Sequence, residues 1–298
     1  MKTWAVLIAI FGLARTAAAL DLDDYRGGWE TYDGGKTLHV LELSLRGTQV
    51  RGVYCTDCSD ATTLAFIDGT VRAEDISFTI THVKSDGSTA HREHATARFR
   101  DGLLLVAGGN DGSSATTFNW TMRKDPRGPA PVTGMIVSKL PRDPSPAQSM
   151  APATAGSAEV RRAPPPYTPP GPWEALSDAK LVGVWIGFGA GIDKQFFIIR
   201  KVAGGLRGMV CGRCDNPYTM SALDDFKVQG DTLTFNILHE DWGPGSLPNH
   251  NQVTAHVSKN EMRISTLPDN VAPGTTNVPG FKVEASLMGP IAAEATRR

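Results

Sequence analysis

The sequence predicts an all-β protein built from two copies of one small antiparallel domain, with a proline-rich spacer between them. Three observations carry this. An eight-residue stretch occurs twice, as Arg51-Gly52-Val53-Tyr54-Cys55-Thr56-Asp57-Cys58 and as Arg207-Gly208-Met209-Val210-Cys211-Gly212-Arg213-Cys214. Trp29 and Trp185 keep the offset of the cysteines, 156 positions (211 − 55), so the copies align without a gap from tryptophan to second cysteine. Short apolar runs of strand type alternate with Gly-containing turn pairs, and no stretch of the first copy carries a helical period of apolar residues.

The chain has 298 residues, room for roughly two domains. With 41% apolar and 20% charged residues it is too apolar to be a disordered chain. A net charge of −1, a pI near 6.7 and the absence of any Lys/Arg run remove the electrostatic case for nucleic acid. Residues 1–19 have the pattern of an export signal: Lys2, an apolar run over 4–13, then Ala17-Ala18-Ala19. That run is shorter than the ~20 apolar residues a membrane-spanning helix needs, and no later stretch is long enough either. The expected locale is the periplasm or the extracellular space, with a secreted mature chain that starts near Leu20.

Taken in order, 20–124 form the first repeat. Strands are expected over 37–45 and 49–54 around an Arg46-Gly47 turn, then over 62–67, with a turn at Asp68-Gly69. The clearest strand is 75–82, with Ile76, Phe78, Ile80 and His82 on one face. Asp86-Gly87, Asp101-Gly102 and Asp111-Gly112 punctuate further strands over 93–100, 103–107 and 116–123. Residues 125–172 are dominated by proline, alanine and serine and predict an extended linker, with one apolar patch at 134–140. The second repeat, 173–290, offers strands over 184–188, 195–201 and 206–210. Phe235-x-Ile237-x-His239 then matches Phe78-x-Ile80-x-His82, and a run over 281–287 closes the unit. A 241–249 insertion has no counterpart in the first copy, and 291–298 read as a flexible tail.

About eight short strands in about 105 residues suit a sandwich or an up-and-down barrel. Both repeats open on Gly-x-Trp (Gly27-Gly28-Trp29 and Gly183-Val184-Trp185), followed by an apolar strand and a glycine-turn-glycine strand. This resembles the calycin superfamily of lipocalin, fatty-acid-binding and avidin-like barrels. The resemblance implies two tandem antiparallel up-and-down β-barrels, each floored by its tryptophan, Trp29 or Trp185, and able to hold a small apolar or amphipathic ligand. It also implies that Arg123 packs on Trp29, as a late-strand arginine does in lipocalins; the second copy has no equivalent. The tryptophan cluster of an avidin pocket is missing, so biotin binding is not carried over. Read from the residues alone, Trp29 and Trp185 are core side chains rather than ligand contacts.

All four cysteines lie in the two Cys-x-x-Cys pairs. In an exported protein Cys55–Cys58 and Cys211–Cys214 read as one disulfide per repeat. The competing readings are a redox dithiol, a Cys₄ zinc site shared by the repeats, or Cys₂His sites that recruit His82 and His239. No helix follows either pair to favour the redox version. His91 and His94, three apart, fall on opposite faces of a strand. No cofactor is expected, zinc being the one the pattern admits.

No Gly-x-Ser-x-Gly, His-Glu-x-x-His or Walker motif is present, and Asp23-Asp24, Asp224-Asp225 and Glu240-Asp241 read as solvated turn carboxylates. The expectation is therefore a binding protein rather than an enzyme. Its partner is a small apolar ligand or, if the barrels are filled, another envelope protein.

Overall fold

The computed structural model describes residues 22–33, 36–72, 75–111, 116–124, 173–189, 192–214, 216–239, 249–266 and 282–289. The export signal, the 125–172 linker with its 134–140 patch, residues 241–248 of the insertion and the 291–298 tail lie outside them.

Alternating apolar runs bounded by tight turns fold here into two closed antiparallel barrels of eight strands each. The first holds β1 (Gly27–Asp33), β2 (Lys36–Arg46), β3 (Gln49–Cys55), β4 (Ala65–Val71), β5 (Ile76–Val83), β6 (Thr89–Arg100), β7 (Leu103–Asn110) and β8 (Thr117–Lys124). The second holds β9 (Gly183–Gly189), β10 (Ile192–Val202), β11 (Gly205–Cys211), β12 (Met220–Gln229), β13 (Thr232–His239), β14 (Asn249–Ser258), β15 (Glu261–Ser265) and β16 (Lys282–Gly289). In each, sequential neighbours pair and the last strand returns to the first, so no sheet edge is left open. Among the described residues helix is confined to α1 (Asp178–Leu181) and three single 3₁₀ turns, and no helix there is long and apolar enough to cross a membrane.

The repeat is visible in the register. Leu41 lies opposite Trp29 and Tyr54, and Phe197 lies opposite Trp185 and Val210. Gly52 and Gly208 occupy matched places where a Cβ would overlap the backbone oxygen of Glu42 or Ile198 on the next strand. One expectation needs correction. Asp68-Gly69 is not a turn: both residues lie inside β4, and Gly69 faces Phe78 so closely that a Cβ would collide with the Phe78 backbone. β12 went unread in the sequence because Asp224-Asp225 mimics a turn, although it is an irregularity inside a strand.

Each barrel interior is a packed apolar core, around Trp29, Leu43, Ile76 and Phe78 in the first and Trp185, Phe197, Phe235 and Val253 in the second. A third core lies between the barrels. Val40, Val53, Phe66 and the Cys55–Cys58 pair meet Phe196, Ile198, Met209 and the Cys211–Cys214 pair. Burying each such side chain contributes about 1.5–3 kcal/mol, whereas an exposed ion pair contributes about 0–1, so apolar packing governs the docking. The contact is isologous in form: Val40 and Phe196, Val53 and Met209, Leu64 and Met220 are matched positions of the two repeats, all in one cluster.

Two matched polar side chains reach across this contact. The buried Arg200 guanidinium donates to the carbonyls of Ala61, Thr62, Leu64 and Val83 at 2.9–3.2 Å, all four in the other barrel. Ser44, its counterpart in the first repeat, donates to the Leu238 carbonyl at 3.4 Å. Replacing Arg200 by Met removes the donor to four carbonyls, three of them buried. The expected outcome is a loss of roughly 2–5 kcal/mol in urea unfolding. A loss within experimental error would mean that these bonds do not tie the barrels together.

Candidate functional site

Each cysteine pair is at disulfide-bonding distance within its own repeat, with Cα atoms 5.1 Å apart in both. All four sulfurs belong to the core between the barrels. Alternation along β3 sends Cys55 outward into that core and Tyr54 inward, while His82 on β5 follows Ile76, Phe78 and Ile80 into the first barrel. The competing Cys₂His grouping with His82 is therefore not formed, and His239 is parted from Cys211 and Cys214 in the same way.

Trp29 and Trp185 are fully buried, and each indole N–H donates to the carbonyl four residues upstream, Tyr25 or Leu181, at 3.0 Å. A short turn ahead of the first strand thus plugs each barrel on the tryptophan side. The cation over the Trp29 ring is Lys124, 5.5 Å from its centroid. Arg123 lies one residue away on β8, opposite Glu30, and alternation turns it to the other face of the sheet.

The far end of the first barrel is polar and aromatic. His39, Tyr54 and Trp120 stack with centroids 4.5–5.9 Å apart, and Tyr54 stands edge-on to His82 at 5.6 Å. His39 Nδ1 and the Tyr54 hydroxyl are hydrogen bonded at 2.8 Å. His82 and His91 face each other across β5 and β6, with rings stacked at 4.0 Å, and Glu93, two residues along β6, joins them on the same face. Burial works to raise the Glu93 carboxyl, but His82, His91 and His39 outweigh it and hold the group below its usual range. Burial holds the His91 and His39 imidazoles below their usual range, and it pushes the Tyr54 phenol up, with the Glu93 charge adding to the last shift. The sequence signal for Glu93 was available: 91 and 93, not 91 and 94, share a strand face.

The second barrel does not reproduce this constellation. Its register sets Asn249 and Asn251 where the first has His91 and Glu93. His239 is buried and hydrogen bonded through Nδ1 to the Ser221 hydroxyl.

Beside the inter-barrel core the surface opens into a cleft of about 570 Å³. Its walls carry Arg46, Arg51 and Arg92 from the first barrel and Arg207, Asp224 and Phe226 from the second. Asp68 lies directly opposite Arg51 on the neighbouring strand, forms an ion pair with it, and also accepts from Arg207 Nη1 at 2.7 Å. The Arg207 guanidinium sits 5.1 Å from the Phe66 ring centroid. Burial lowers the Arg207 pKa to about 10, Arg51 adding to the effect and Asp224 opposing it, so the group stays cationic at neutral pH. β12 is irregular between Asp224 and Lys227, and Asp225 there has φ 55°. A non-glycine residue in the left-handed region at a strand irregularity is a feature that clusters at functional sites. Asp224, read from sequence as a solvated turn carboxylate, is a buried strand residue. The overlooked signal was that Arg51/Arg207 and Asp68/Asp224 share the 156-residue offset of the cysteines.

Comparison of the chain with protein-family models, curated proteins and solved structures finds no match.

The buried His239 gives the fold a pH dependence. Burial, then His250, lowers its pKa to about 3 in the folded chain. Unfolded, it takes up a proton near the ordinary value of about 6.5. The unfolded state therefore holds more protons between these values, and stability is lost as pH falls from about 6.5 towards 3. In His239→Gln the decline of the urea midpoint between neutral pH and about pH 4.5 is expected to be shallower than in the parent. Equal declines would remove His239 as a source of the acid sensitivity.

Proposed function

We propose that this chain is an exported binding protein that holds a small amphipathic anion in the cleft between its two barrels. The observation that carries the proposal is the cleft itself. Its volume is within the ~300–1,000 Å³ of small-molecule sites, which favour domain junctions. Guanidinium groups are pre-positioned there beside the Phe66 and Phe226 rings. An acid head group suits the cations, and a planar or apolar body suits the rings. Arg92 has no ion-pair partner among the described residues, which leaves its charge for a ligand.

The calycin resemblance supports the same general class, a small-ligand binder secreted to the periplasm or beyond, but it implies an apolar ligand inside a barrel. The packed interiors lend that location less support than the cleft has. Disulfide-bonded cysteines agree with an oxidising compartment. A second reading, a structural module that docks on another envelope protein, is favoured by exposed Leu103 and Leu105 on β7 and Phe188 on β9.

Native mass spectrometry of the protein purified from its host is expected to show a bound organic acid. Saturation with such an acid, or with phenyl phosphate as a probe, stabilises the chain by about 2.7 kcal/mol at 100-fold its Kd. Arg92→Glu is expected to weaken probe binding at least roughly tenfold, about 1.4 kcal/mol, without lowering the ligand-free Tm. A ligand whose affinity survives both Arg92→Glu and Phe226→Ala does not bind in this cleft.

A further inference from the structure

We propose that His82, His91 and Glu93, at the open end of the first barrel, form a binding site for one divalent transition-metal ion of the zinc type. This site is separate from the cleft, and the proposal does not depend on the cleft reading.

Three donor atoms converge there within 4.8 Å of one another. His82 Nε2 lies 3.6 Å from one Glu93 carboxylate oxygen, and His91 Nε2 lies 3.7 Å from the other. These separations are too long for hydrogen bonds, which close at ~2.7–3.2 Å. They are close to the edge of a coordination tetrahedron, roughly 3.3–3.6 Å for metal–ligand bonds of ~2.0–2.2 Å. Turning the half-exposed His91 ring out of its stack on His82 would bring the three donors onto one ion.

The donors are also left wanting. His82 Nε2 and one Glu93 oxygen are closed off from solvent and have no hydrogen-bond partner among the described residues. A buried polar atom in that state costs roughly 1–3 kcal/mol unless something satisfies it, and a cation shared by both satisfies them together. Two neutral imidazoles and one carboxylate are the donor set of zinc and its first-row neighbours rather than of calcium or magnesium, which take oxygen ligands.

The fold holds the set rigidly. All three residues stand on paired strands, with His82 directly opposite His91 and Glu93 opposite Ile80. The His82 and His91 rings are stacked with only 12° between their planes, so the His91 ring turns about its side-chain bonds for both in-plane lone pairs to meet one ion. Tyr54 and its hydrogen-bonded partner His39 stand beside His82 and restrict its ring. Three protein donors leave the fourth position of a tetrahedral ion to water or a small ligand. The second barrel is an internal control, since Asn249 and Asn251 replace two of the three donors on the same scaffold.

The test uses the full mature chain, without a histidine tag, stripped with a chelator and titrated with zinc chloride by calorimetry. One zinc per chain is expected. Cobalt in its place is expected to give the intense visible bands of a tetrahedral ion. His91→Ala and Glu93→Gln are each expected to lower zinc affinity by roughly 100-fold or more, beyond the ~10–100-fold typical of losing an outer-shell contact. The His91 side chain is 46% exposed, so His91→Ala is expected to keep the metal-free circular dichroism and Tm of the parent. In the parent, zinc raises Tm; in His91→Ala it does not. Affinity weaker than about 1 mM in the parent overturns the proposal. So does zinc binding that is unchanged in both variants, which would put the ion on other histidines.

Discussion

The structure depends on one constraint: strands β2, β3, β10 and β11 are buried on both faces. A barrel strand ordinarily alternates a packed inner face with a solvated outer one. Here the inner faces fill the barrels and the outer faces fill the core between them, where Val53, Cys55, Phe196, Ile198, Met209 and Cys211 meet. That is why Gln195 is followed by four consecutive apolar residues, Phe196 to Ile199, each no more than 2% exposed. It is also why the repeated stretch is alike in both halves. Each half presents that stretch to the other, so a change in one copy is felt by both. The disulfides lie in this layer, where closing a four-residue loop removes little entropy from the unfolded chain but fixes the bend at the end of β3 and of β11 against its neighbour.

An isologous contact inside one chain can depart from symmetry, because its halves mutate independently. Position 44/200 is Ser in one copy and Arg in the other, and the arginine carries four inter-barrel hydrogen bonds where the serine carries one. Position 42/198 is Glu against Ile. Arg51 and Asp68 form an ion pair, and their matched residues are Arg207 and Asp224, yet Arg207 crosses to Asp68 in the opposite barrel. The irregular stretch of β12 at Asp225 has no counterpart in β4, whose register against β5 is continuous. The cleft opens where the two halves stop matching.

The fold was legible in the sequence because its signals are local. Gly-containing turns, alternation and the fixed offset require no tertiary knowledge, and they led to eight strands per repeat. What was not legible depended on which outer face meets which. Asp224-Asp225 carried the composition of a turn and became part of a buried strand, since an irregular strand breaks the alternation that marks strands. Asp68-Gly69 misled in the opposite direction: the glycine is there so that Phe78 can lie against the backbone, not to reverse the chain. The run from Phe196 to Ile199 did record a doubly buried strand, but a short apolar run has the same look in a buried strand of many origins. His82 and His239 stood out through the repeat. Their partners did not, because Glu93 becomes visible only when β5 and β6 are set in register.

The two far ends show how a duplicated scaffold separates stability from chemistry. In the second barrel the matched histidine is buried, neutral and bonded to Ser221, and the register sets Asn249 and Asn251 at the positions of His91 and Glu93. In the first barrel the same place carries a carboxylate between two imidazoles, under a stack of Tyr54, Trp120 and His39. An arrangement that leaves a buried carboxylate oxygen without a partner weakens a fold, and the second barrel is built on the same register without that carboxylate. Strand-borne side chains are positioned more closely than loop-borne ones, so this cost falls on a rigid and well-defined place. The shared core between the barrels supplies enough buried apolar surface for one barrel to carry such a group while the other remains filled.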